Sequence, residues 1–424
     1  MTGTIYQRIK GFGAALLASA AITIAALAAP VRAAGAERFA YAYSAGDKYR
    51  IVSTVREDVY VDRRLSHRSE ILNRIAVDVR AVKDGVGTLA AQFQTSERTV
   101  GTSAGAGASA DASAFQWSRE YSSIFDRDSN GRYTIGAEYW MPVVRDVPVF
   151  PDEPLAPGDE WSAEGEEAHD FRDAFGIPDP YRIPFIARYR YLGEKELEGR
   201  KLPAFSVSYR IFEEPAPPAR RGARWPTRIM GASDQIVYWD RDLGQPAAYE
   251  EDFRIVFELS DGRTVEYRGD ADALVVEAAP MERGRMADEI AQDIARLGIT
   301  DTGVRVTEEG VAISLEDVRF NPDSAELVAD ERTKLDRIAE ILARYADRDI
   351  LVGGHTALAG TEAGRQSLSE QRAAAVAEYF VKTGVRDASR IVTRGFGATE
   401  PVADNASEEG RRRNRRVEIT ILEN

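Results

Sequence analysis

Residues 351–376 read LVGGHTALAGTEAGRQSLSEQRAAAV, and their pattern decides the fold of the C-terminal part of the chain. A short apolar run enters the turn Gly353-Gly354-His355-Thr356. A loop follows, then a stretch with apolar residues at helical spacing, where Leu368, Val376 and Tyr379 or Phe380 are expected to face inward. Gly384 supplies the stop, because glycine readily takes the left-handed conformation that closes a helix. Strand and helix patterns alternate on both sides. Residues 310–320, 349–353, 390–394 and 416–422 read as strands, and 330–345 as a helix burying Leu335, Ile338, Leu342 and Tyr345. Elements of these lengths in this order predict an α+β sandwich of two helices on a small mixed sheet.

Two markers in this region are specific at their spacing: Leu368-Ser369-Glu370-Gln371-Arg372-Ala373 and Asn414-Arg415-Arg416-Val417. Together with the Gly-His-Thr turn they resemble the OmpA-like domain family, over about the last quarter of the chain. The resemblance implies a peptidoglycan-binding module that grips the diaminopimelate residue of the stem peptide. Such recognition uses an aspartate for the ammonium and an arginine fork for the carboxylate. Carried over by motif, the candidate contacts are Arg372, Arg415 and Thr356, with Asp323 in the turn after the first strand.

One position departs from the family pattern. Gly-His-Thr is followed by Ala357 where the family has aspartate, and Arg365 stands where it usually has asparagine. Arg365 and Arg372 are two helical turns apart, roughly 10 Å along the axis. A methyl in place of a carboxylate, with an added guanidinium, makes the site more positive unless Asp323 or Glu362 neutralises it. Losing one partner of a desolvated charge pair costs a few kcal/mol, so peptidoglycan binding is expected to be weakened.

Upstream, short β-branched runs separated by turns such as Lys83-Asp84-Gly85 and Ser260-Asp261-Gly262 predict an antiparallel all-β domain, sandwich or half-barrel. Charges interrupt both faces of these runs, as at Arg56-Glu57-Asp58, which favours a soluble domain over a membrane barrel. Five prolines in residues 142–157 predict stiff edge or crossover segments that pack on the core, with a partner surface as the alternative. Asp126, Asp128 and Asn130 have the spacing that opens a calcium loop, but the twelfth position is Ala137. A hairpin turn explains them more simply, and calcium stays the weak alternative. Glu164, Glu166 and Glu167 read as solvated loop charges. Residues 281–297 form an amphipathic helix that joins the halves or opens the second domain.

The expected layout is a signal peptide over 1–36, a β-rich domain over 37–277, a linker helix over 278–300 and the OmpA-like domain over 301–424. The signal reading rests on Arg8 and Lys10, an Ala-rich apolar run, and small residues at Ala33, Ala34 and Ala36. An uncleaved anchor is the alternative. The chain has 424 residues, 44% of them hydrophobic, and a formal charge of −14 that argues against nucleic acid. It has no cysteine and three dispersed histidines. With no phosphate loop or nucleophile elbow, the expectation is a non-enzymatic, cofactor-free envelope protein, exported to the periplasm and associated with the outer membrane. Its partners would be peptidoglycan and outer-membrane or periplasmic proteins. The alternative is a periplasmic ligand- or partner-binding protein whose OmpA-like domain is a repurposed assembly module.

Overall fold

The computed structural model describes residues 35–100, 114–217, 224–277, 281–316, 318 and 327–423. The protein is mostly β, with a few helices. Strands β1 (Lys48–Val61), β2 (Arg64–Lys83), β3 (Val86–Val100), β4 (Phe115–Arg127) and β5 (Tyr133–Ile135) form one antiparallel meander. Strands β6 (Val144–Arg145) and β7 (Glu160–His169) begin a second. After the short helix α1 (Arg172–Phe175), it continues through β8 (Tyr181–Leu197), β9 (Arg200–Glu213), β10 (Pro226–Asp240), β11 (Gln245–Leu259) and β12 (Thr264–Glu277). Strand β12 also pairs with β1, so the two meanders share one ladder.

Period two governs the burial of this sheet. On β8, Ile183, Phe185, Ala187, Tyr189 and Tyr191 are buried, while Arg182, Arg188 and Arg190 are exposed. The inward residues of β1–β3 and β9–β12 line a common interior, so the sheet curls. Residues 136–143 cross from β5 at one edge to β6 at the other. The proline-rich segment beyond buries Val149, Phe150 and Leu155, in line with a core-packing role.

Strand β7 and the two-residue β6 have no counterpart in the sequence reading. The charges of β7 mask its alternation, and they are tolerated because neighbouring strands supply partners. Glu166 pairs with Arg145 at 2.9 Å and Arg182 at 2.7 Å, while Glu167 accepts from the Tyr209 hydroxyl at 2.8 Å. The expected solvated loop carboxylates are therefore strand residues, and Glu167 is buried.

The C-terminal part contains α2 (Arg283–Arg296), β13 (Thr302–Val306), β14 (Gly310–Glu316), α3 (Ala329–Ala343), β15 (Ile350–Gly354), α4 (Glu362–Lys382), β16 (Ile391–Gly395), α5 (Glu408–Asn414) and β17 (Arg416–Leu422). The sheet order is β13-β14-β17-β15-β16, with β15 and β16 parallel. Ile290 of α2, Leu335 and Ile338 of α3, and Val376 and Phe380 of α4 pack over Ile313, Val352 and Ile419. Leu368, expected inward, is 42% exposed. The buried face of α4 is Ser369, Ala373, Val376, Ala377 and Phe380, so Val376 and Phe380 face inward as read and Ser369 takes the place expected for Leu368.

The two sheets touch. The start of β4 lies parallel to β16, with Val392 opposite Phe115 and Thr393 opposite Gln116. The Thr393 hydroxyl donates to the Phe115 carbonyl at 3.1 Å, and Trp117 packs on Leu351, Val392 and Leu422.

Candidate functional site

The Gly353-Gly354 pair exists because strand and helix approach closely here. A Cβ on Gly354 would lie 2.0 Å from the Ser369 carbonyl oxygen, and one on Gly353 would lie 2.8 Å from the Phe396 ring. Ser369 is a joint between α4 and the next loop: its hydroxyl donates to the Gln366 carbonyl at 2.7 Å and accepts from the Gly397 amide at 2.9 Å. His355 is 1% exposed, and its ring stacks parallel on Phe396 at 4.6 Å. Burial, reinforced by the Arg416 cation, pushes its pKa down to about 3. The imidazole is thus neutral, and its 3.8 Å separation from Glu418 is no ion pair. Burial alone would raise the Glu418 carboxyl, but Arg416 at 2.7 Å and Arg305 at 2.5 Å hold it below its ordinary value.

From this base the turn reaches the candidate binding residues. The Thr356 amide donates to the Gly397 carbonyl at 2.7 Å; its hydroxyl is buried with no partner among the described residues. Ala357 follows, only 6% exposed. The Leu358 amide donates to Asn405 at 3.0 Å, stitching the turn to the loop before α5. Asn414 fastens that loop: it accepts from the amides of Val402 and Ala403 and donates to the Ala403 carbonyl and to Asn405. Arg415 is half-buried and reaches back to Glu408 at 2.9 Å.

Residues 319–415 match the OmpA family. This part of the chain belongs to it. An outer membrane protein A of Bordetella avium is 44% identical over 107 residues, 25% of this chain and 54% of that protein. A "peptidoglycan-binding protein ArfA" of Mycobacterium tuberculosis is 39% identical over 24% of this chain and 32% of its own length. Among solved structures, the cell wall anchor of the type VI secretion system of Pseudomonas aeruginosa is 37% identical. That match covers 33% of this chain and 99% of that one, with a TM-score of 0.28. The chain spans about half or less of the length of these two curated relatives.

Within the OmpA-family domain the candidate arginines are spread over two elements. Arg365 and Arg372 lie on α4, and both are half-buried. The Arg365 guanidinium folds back on the Gly360 carbonyl at 2.6 Å, beside the Thr361 cap. Among the described residues no carboxylate lies within 4.0 Å of it, so Glu362 does not neutralise it. Asp323 lies outside the described residues. Sequence reasoning missed the holding role of Asn414, because a buried amide pinning a loop leaves no periodic mark.

The possible calcium ligands are used elsewhere. Asp126 accepts from the Thr88 hydroxyl at 2.6 Å, and Asp128 caps a turn by accepting from the amides of Asn130 and Arg132. Asn130 turns its amide nitrogen to the Phe150 carbonyl at 2.9 Å. Turn chemistry accounts for Asp128, while Asp126 bonds across to β3 and Asn130 to the segment before β7.

Proposed function

We propose that the protein is a non-enzymatic component of the bacterial cell envelope that connects an outer-membrane or periplasmic partner to the cell wall, with peptidoglycan binding weakened. The observation that carries the weakening is Ala357, a buried methyl at the place where the family pattern has an ammonium-holding aspartate. Arg365, with its charge unopposed by any described carboxylate, adds to the positive balance. Support for the envelope role comes from the family and from a relative whose name states peptidoglycan binding. Arg372, Arg415 and Thr356 would supply the remaining contacts, with Asp323 a further candidate by its place in the sequence.

A second reading has its own observation. The edge strand β16 of the OmpA-family sheet is occupied by β4, which suits a module used for assembly within the chain. One pelleting experiment with insoluble peptidoglycan separates the two. Wild type is expected to stay largely in the supernatant, and Ala357→Asp to pellet at least tenfold more. If wild type pellets and Arg372→Ala does not, the wall contact survives without the aspartate. Equal pelleting of wild type and Arg372→Ala would remove Arg372 from the site.

A further inference from the structure

We infer that the concave face of the curled sheet binds a single-chain amphiphile with one anionic headgroup, seated on Arg127. The interior holds a cavity of about 580 Å³ with a mostly apolar lining, a size that suits a small-molecule ligand. Arg127, on β4, lines it and is only 8% exposed. Its Nε donates to the Tyr43 hydroxyl at 2.6 Å, one Nη to Tyr133 at 3.2 Å and the other to Tyr49 at 3.3 Å. The Tyr41 ring lies 4.2 Å from its central carbon. All four partners are neutral, and among the described residues no carboxylate comes within 4.0 Å of the guanidinium. A buried cation ordinarily has a counter-charge, because solvation by neutral dipoles recovers only part of what water gave. Three of its five N–H groups are used by phenol oxygens, which leaves two for an incoming anion.

The cavity's carboxylates are committed elsewhere. Glu251 accepts from Ser233 at 2.6 Å and Gln235 at 3.2 Å, and Glu167 from Tyr209 at 2.8 Å. Glu251 faces Ala271, which faces Val55, six residues along β1 from Tyr49. Six strand residues span about 20 Å, so this carboxylate is remote from Arg127. Burial pushes the Glu251 carboxyl up, toward the neutral form. Between the two ends, Ile51, Ile75 and Phe93 offer an apolar wall to an alkyl chain. The headgroup chemistry is shared by a fatty carboxylate and an alkyl phosphate.

The test uses the full chain and three probes of equal chain length: hexadecanoate, hexadecyl phosphate and hexadecan-1-ol, titrated below their aggregation limits. At least one anionic probe is expected to bind tenfold or more tightly than the alcohol, and the tighter of the two identifies the headgroup. Arg127→Met should erase that preference. Ile71→Trp, which fills the cavity away from Arg127, should abolish binding of all three and keeps the inference testable if the arginine variant fails to fold. Equal binding of acid and alcohol, no binding of either anion, a preference that survives Arg127→Met, or unchanged binding by Ile71→Trp would each overturn it.

Discussion

His355 is a neutral imidazole between an aromatic ring and a buried ion cluster, and that placement has a measurable consequence. Its folded pKa, about 3, lies below the ordinary value of 6.5. Between those two values the unfolded chain binds the proton and the folded chain does not. The contribution to stability is thus complete above about pH 6.5 and declines as pH falls toward 3, by up to about 1.4 kcal/mol per pH unit. Denaturant unfolding of wild type and His355→Gln across pH 4–7 should show a steeper acid loss in wild type. Parallel curves would mean that His355 titrates normally. The residue itself was legible as part of the Gly-His-Thr turn. Its protonation state was not, because burial and the Arg416 field come from residues distant in sequence.

At the level of elements, sequence patterns found the long helices α2, α3 and α4 and most strands, but α1, α5, β6, β7 and β13 escaped them. Strand β7 carries charges whose partners sit on neighbouring strands, so no local window reveals it as sheet. Helix α5 is short and polar, starting at the Ser407 cap and ending at Asn414. Its link to the turn at Leu358 runs through Asn405 and Asn414. Asn414→Ala should leave the Val402 and Ala403 amides without their acceptor and cost about 2 kcal/mol. Asn414→Asp keeps the accepting oxygen but sets a buried carboxylate against the Ala403 carbonyl and the Asn405 oxygen, and should cost at least as much. Thermal unfolding checks both; equal melting temperatures for wild type and the alanine variant would show that the loop is held by other contacts.

Across the whole molecule, the two sheets meet where β4 lies against β16 and where Asp349 bridges Arg74 at 2.7 Å and Arg390 at 2.9 Å. Arg74 and Asp349 are only 12% and 13% exposed, so this pair is shielded from solvent and salt. Arg74→Ala should weaken the seam by about 1–3 kcal/mol and speed amide hydrogen exchange at Thr393 and its neighbours. Exchange there identical to wild type would mean that the seam does not depend on this ion pair.

The sequence by itself determined the α+β character of the C-terminal part, its OmpA-family signature and the missing aspartate at Ala357. These follow from local periodicity and from motifs only a few residues long. It also indicated a β-rich N-terminal region, because alternating β-branched runs and turn residues act over short windows. Only the tertiary structure decided that β12 returns to β1 in one curled sheet, that β4 joins β16, and that Arg127 lies in an apolar interior among tyrosines. Each of these depends on pairing between residues far apart in the chain, and sequence periodicity carries no record of which distant strands meet.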